Sequence, residues 1–394
     1  MPLRRVRHSL VAVAMSLPLL ALAPHDPAAP TVPRVRGRPA TDTVLSILVS
    51  RTGVPAGALL TQDPTGSHFA HAEDDSTPTA AEEDTDGDAD ARDGDARAEG
   101  GHGGRAGNGG GGGLRLSDHF RAGSLTKTFL ATVVLQLAAE HRLSLSDSVE
   151  DHLPGLVHGH GNDGNALTLR SLLTQTSGLA DFTADTRGRV PLPPREAVRL
   201  ALTHSPAAPG RYSYSNTNYV LLGMVVRQVT GHSYAAEAER RILTPLRLTG
   251  TSFPGSRTTL PSPHGRAYAA DGSDVTALDP RVAGAAGELV TTLAGLDRFY
   301  AALLGGELLP PHWLHEMLDT RAAQGVYGAG IYPVTLPCGT TVWGHSGRIP
   351  GSYVRTAATV DGRRVLTYRV NTDAFADSGL ERDLLSAGFC ARTP

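Results

Sequence analysis

Phe120-Arg121-Ala122-Gly123-Ser124-Leu125-Thr126-Lys127 leads into a segment in which Phe129, Leu130, Val133, Val134, Leu137 and Ala138 recur at helical spacing. The pattern predicts a long helix starting near Ser124, with Ser124 and Lys127 on one face and about 5–6 Å apart at Cβ. Lys127 is the only lysine among 36 Lys plus Arg. Arginine stays protonated in ordinary sites, whereas a desolvated lysine can lose its proton and act as a base. A serine hydroxyl is a weak nucleophile and needs such a base beside it. The positive end of a helix favours the neutral amine and stabilises an oxyanion formed there.

Two later stretches extend this pair. Tyr214-Ser215-Asn216 follows Pro209-Gly210 and precedes a helical pattern over 218–229. Tyr-x-Asn is a common turn before a helix, but Tyr214 there can also relay a proton, and the Asn216 amide can hold Lys127 and a substrate. His345-Ser346-Gly347 follows a strand ending at Trp343-Gly344. Gly347 has no side chain, which leaves room for a substrate backbone along the strand. The N–H just beyond it, that of Arg348, can complete an oxyanion hole with the N–H of Ser124. Gly344 to Arg348 also partly matches a G-x-S-x-G elbow. Arg348 stands at the fifth position and no strand-turn-helix context follows, so Ser346 is not read as a nucleophile.

Around these motifs a short helix is expected at 42–48 and a strand at 56–60. Further helical patterns cover 169–173, 195–202, 296–304 and 380–389. Strands are expected at 340–343, 353–360 and 364–370, the last two separated by Asp361-Gly362. A sheet divided between chain start and chain end, with helices between, indicates an α/β domain carrying an inserted helical region. From 73 to 113 acidic residues and then five consecutive glycines dominate; such a stretch buries too little apolar surface to offset its chain entropy and is read as a disordered surface insert. Within it Asp84, Asp86, Asp88 and Asp90 alternate as in a calcium loop. Positions six and twelve hold Ala89 and Asp95 in place of Gly and Glu, so no metal site is assigned.

The chain opens with Arg4, Arg5 and Arg7, an apolar run over 9–23 and the small-residue ending Ala21-Leu22-Ala23. The run is shorter than the roughly 20 residues of a spanning helix and contains Pro18, so 1–23 reads as a signal peptide and not as a stable membrane span. Residues 24–40 read as a Pro/Ala-rich spacer. The two cysteines, Cys338 and Cys390, form a disulfide in an oxidising compartment or remain buried thiols. A net charge of −3 without a basic stripe argues against nucleic acid as a partner.

Taken in order, the Ser124-to-Lys127, Tyr214-to-Asn216 and His345-to-Gly347 motifs resemble the serine β-lactamase and penicillin-recognising D,D-peptidase superfamily, in its class C β-lactamase-like branch. Leu172-Leu173-Thr174-Gln175-Thr176-Ser177-Gly178-Leu179 and Tyr214-Ser215-Asn216-Thr217-Asn218-Tyr219 fit the same pattern. Pro337-Cys338-Gly339, with Cys390 near the end, is similar to actinomycete D-alanyl-D-alanine carboxypeptidases. The likeness covers about 41–394 apart from the acidic insert.

It implies a β-lactamase/transpeptidase-like fold, an antiparallel sheet flanked by helices, with a mostly helical region inserted over about 131–284. It implies Ser124 as nucleophile, Lys127 as base and Tyr214 as proton shuttle. Asn216 would orient the site, His345 would replace the usual third-motif cation, and Ser346, Gly347 and Arg348 would line the substrate. The implied protein is a secreted, monomeric D,D-carboxypeptidase acting without a cofactor on cell-wall peptides. A β-lactamase, an esterase and a non-catalytic penicillin-binding protein are the alternatives. The strand segment Gly330 to Thr335 lacks an arginine that such carboxypeptidases carry, and Arg348 is expected either to supply that cation to a substrate carboxylate or to narrow the site and exclude the usual peptide. Gln175 replaces a frequent histidine, at a structural position.

Overall fold

The computed structural model describes residues 40–74, 113–375 and 377–390. The residues read as a signal peptide, nearly all of those read as a spacer and most of the acidic insert, including its alternating aspartates, lie outside them.

Helix α1 (Ala40–Thr52) buries Val44, Leu45, Leu48 and Val49 along one stripe. It leads to β1 (Ala56–Asp63), which turns back into β2 (Gly66–Glu73); Asp63 Oδ1 accepts the N–H and hydroxyl of Thr65 in the turn. Helix α2 (Thr126–Ala139) is buried almost all round, as its near-continuous apolar sequence dictates. Helix α3 (Asn216–Thr230) ends at Gly231, which takes φ 77° and caps it in the left-handed conformation. Helix α4 (Leu293–Leu304) follows, then the strands β3 (Tyr332–Thr335), β4 (Thr341–Ile349), β5 (Ser352–Thr359) and β6 (Val365–Val370), and finally α5 (Ser378–Phe389).

The six strands form one antiparallel sheet in the order β2-β1-β6-β5-β4-β3. The start of the chain is joined to its end where β1 pairs with β6, Gly57 opposite Val370. The period-2 alternation of the strands sorts their side chains. Leu59, Leu366, Tyr368 and Val370 pack under α1 and α5. Ala58, Leu60, Val354, Ala358 and Val365 join the larger core shared with α2 and α4. Helix α3 and the shorter helices Leu169–Leu173 and Pro194–Ala201 complete the helical region beside α2.

Two local differences from the sequence reading, at Ser124 and along β4, have physical causes. Ser124 lies in a 3-10 turn, Gly123–Leu125, and the α-helix begins only at Thr126. Strand β4 continues past Trp343 to Ile349, because pairing with β5 overrides the low strand propensity of Gly344, Ser346 and Gly347. Strand β3 contains Pro333, which is tolerated because β3 is an edge of the sheet. Cys338 and Cys390 are disulfide-bonded across a sequence separation of 52, tying the β3–β4 turn to the end of α5. Among the described residues no helix is long and apolar enough to cross a membrane.

Candidate active site

The Ser124 turn is seated directly on β4 by two glycines. Gly123 has φ +54°, and a Cβ there would lie 2.9 Å from the Arg348 nitrogen. A Cβ on Gly347 would lie 1.9 Å from the Ala122 carbonyl oxygen. The space left by Gly347 is therefore filled by the protein's own backbone, where the sequence reading had placed a substrate.

At the turn, Ser124 Oγ lies 3.0 Å from Lys127 Nζ and 2.8 Å from the Tyr214 hydroxyl. Lys127 also donates to Asn216 Oδ1 and to the Ala286 carbonyl, each at 2.7 Å. The neutral amine can keep both of those bonds and turn its lone pair toward the serine proton. Lys127 is fully buried, and desolvation pushes its pKa down to about 7 against the opposing pull of Asp181. Burial likewise pushes the Tyr214 phenol well above its ordinary value, so it stays protonated and donates to Ser124.

The orientation of Asn216 follows from its neighbours. Its Nδ2 donates to Asp181 Oδ2 (3.0 Å) and Thr183 Oγ1 (2.9 Å). The Thr183 hydroxyl proton is itself given to Asp181 Oδ1 at 2.9 Å, so Thr183 can only accept from Asn216. Both neighbours being acceptors, the amide oxygen must face Lys127. Asp181 is fixed in turn as the N-cap of the short helix Phe182–Thr186, accepting from the Thr183 N–H. Beneath the Tyr214-to-Asn216 segment lies Gln175, buried at φ 60°, whose Oε1 accepts the Ser215 N–H at 3.0 Å and Asn218 Nδ2 at 2.5 Å. Ser215 donates to the Ala180 carbonyl and does not face the serine.

The β4 residues divide between the two faces of the strand. His345 is buried, with Nδ1 against the Ser346 carbonyl and Nε2 2.8 Å from the Tyr327 hydroxyl. A carbonyl can only accept, so Nδ1 carries the proton and Nε2 accepts from Tyr327. Desolvation, with Lys127 nearby, pushes the imidazole down to about 3. His345 is thus a neutral residue at the place where the resemblance puts the usual third-motif cation. Ser346 Oγ accepts from the Tyr332 hydroxyl at 3.0 Å.

Arg348 is exposed and lines the cleft next to Ser124. Its guanidinium donates to the Phe375 carbonyl and lies 5.5 Å from the Tyr353 ring centre, while its main chain faces Gly123. Pairing of β3 with β4 stops at Tyr332 opposite Gly344; on that edge no strand runs along 345–348 among the described residues, while the other edge is paired with β5. Next to this edge lies a cleft lined by Ser124, Asn216, Thr183 and Arg348, with Val282, Ala283, Ala286 and Ile349 as its apolar part.

Sequence reasoning missed Asp181, Tyr327, Tyr332 and the Ala286 carbonyl. Asp181 two residues before Thr183 is a turn signal, which marks a helix cap but not a partner for Asn216. The others leave no local trace.

A six-stranded antiparallel sheet, a helical region beside it and a serine turn pressed between them define a β-lactamase/transpeptidase-fold serine hydrolase. The chain belongs to the beta-lactamase family, whose sequence model matches residues 77–387. It is 35% identical to a D-stereospecific amidohydrolase from Streptomyces sp., with a TM-score of 0.74, over 90% of this chain and 99% of that one. It shares its fold with a D-amino acid amidase from Ochrobactrum anthropi SV3, at 23% identity and a TM-score of 0.70, over 88% of this chain and 97% of that one. It is 34% identical to protein flp of Staphylococcus aureus (strain COL) over 34% of this chain and 28% of that protein. With PbpX of Bacillus subtilis (strain 168) it shares 29% identity over 54% of this chain and 53% of that protein. The chain thus spans between about a quarter and about half of the length of these curated relatives.

Proposed function

We propose that the protein is an exported amidohydrolase that forms an acyl-enzyme on Ser124 and releases an uncharged amine or ammonia, with a D-configured residue on the acyl side. The observation that carries this reading is the likeness to the D-stereospecific amidohydrolase from Streptomyces sp., 35% identical over 90% of this chain and 99% of that one. Beside Ser124, His345 is neutral and Lys127 is hydrogen-bonded to the serine, and Arg348 is the cation that lines the cleft. The likeness to the Streptomyces D-stereospecific amidohydrolase over nearly the whole of both chains supports the bond type and the stereochemistry. The leader-like residues 1–23 and the Cys338–Cys390 disulfide support export.

In this reading neutral Lys127 takes the Ser124 proton as Oγ attacks the carbonyl carbon. The N–H groups of Ser124 and Arg348 receive the oxyanion. The C–N bond then breaks, and the departing nitrogen takes a proton from Tyr214, which is restored from the Lys127 ammonium. Water enters by the same relay in reverse and releases the acid. The three motifs favour a D-alanyl-D-alanine carboxypeptidase as the second reading.

The two are separated by rates on D-amino acid amides and on D-Ala-D-Ala-terminated peptides, with intact-protein mass after brief exposure to benzylpenicillin and Ser124→Ala alongside. A preference for amides of at least roughly tenfold, abolished in the variant, is expected. The reverse preference, with a stable penicillin adduct, would establish the carboxypeptidase.

A further inference from the structure

Two guanidinium groups lie buried behind the Ser124 turn without a counter-ion. Arg121, which precedes the turn, is 4% exposed, and Arg369 on β6 is 3% exposed. Arg121 Nη2 donates to the carbonyls of Thr258 (2.6 Å) and Thr276 (3.1 Å), but its Nη1 has no partner. Arg369 lies over the Phe120 ring at 4.6 Å, and its Nε and Nη1 have no partner. Neither arginine makes an ion pair among the described residues. Asp279 and Asp118 act on them only from a distance; Asp279 is paired with Arg281, and Asp118 accepts from the Arg115 N–H.

Both residues line one small, partly open cavity together with Leu260, Gly265, Pro350 and Gly351. It has room for about one water-sized particle. Unpaired buried charge is costly, and a neutral water in this space would leave two positive charges uncompensated. A compact anion compensates them and accepts several N–H groups at once with no directional demand, whereas an oxyanion such as sulfate is too large.

We propose that this cavity binds a single monovalent anion of halide size between Arg121 and Arg369. The ion joins β6 to the segment that delivers Ser124, whose position is also held by Ser352 Oγ donating to the Arg121 carbonyl at 2.8 Å. The inference does not depend on which bond Ser124 attacks.

Crystals of the protein soaked in sodium bromide test it directly, together with melting curves in which gluconate is exchanged for chloride or bromide at constant ionic strength. A bromide anomalous peak between the two guanidinium groups is expected, with a saturable rise in Tm of roughly 2–5 °C. Arg369→Met should lose the saturable rise. Should that variant fail to fold, Arg369→Lys, which keeps the charge but lacks Nη1, should weaken the halide response. No bromide peak, with identical melting in gluconate and bromide, means that the cavity holds only water and overturns the proposal.

Discussion

Lys127 is the residue on which the chemistry turns, and its proton sets the expected pH dependence. The base must be neutral, and its pKa lies at about 7. kcat/KM for amide hydrolysis should therefore rise as pH climbs through 7 and fall about tenfold per unit below it. The charged and titratable groups around the amine among the described residues are Asp181, Tyr214, Tyr219 and His345, and Asp181 is the one that opposes the effect of desolvation on it. Asp181 holds the amine's pKa up, so Asp181→Asn, which keeps an acceptor for Asn216, should move the acid limb to lower pH. A pH profile of kcat/KM for both proteins checks this; an unmoved limb would leave Asp181 with only its hydrogen bond to Asn216. Ser124 and Lys127 were legible because the chain places its only lysine one helical turn after a serine. Asp181 was not, because its contact with Asn216 spans 35 residues and depends on two helices meeting.

Among the elements, β4 governs whether the serine turn and the strand edge meet in register. In Gly347→Ala the new Cβ would overlap the Ala122 carbonyl, and backbone cannot yield as a flexible side chain can. The variant should lose about 2 kcal/mol of stability by denaturant melt and more than roughly tenfold in rate, since the Arg348 N–H would move relative to Ser124. Helices α3, α4 and α5 were legible from apolar periodicity, and β5 and β6 from β-branched runs around Asp361-Gly362. The extension of β4 and the whole of β2 were not. Gly344, Ser346 and Gly347 have low strand propensity and join the strand only because β5 pairs with them, and β2 (Gly66–Glu73) is half exposed, without a strong alternating pattern.

For the whole molecule, chain start and chain end share one sheet, and the disulfide clips the final helix to the β3–β4 turn beside it. Replacing both cysteines by serine should cost about 4 kcal/mol in the chain-entropy model for a loop of 52 residues, seen as a lower denaturant midpoint that reductant reproduces in the parent protein. The sequence by itself determined the sheet built from both chain ends, the helical region between them and the three motifs that converge on Ser124. Periodicity, propensity and the identity of a lone lysine are local properties that survive in one dimension. Only the tertiary structure decided which charges remain available there. Burial made His345 neutral, Phe375 and Tyr353 engaged Arg348, and Asp181 was brought beneath Asn216. Desolvation and pairing depend on which distant groups the fold packs together, and that information is absent from any single stretch of chain.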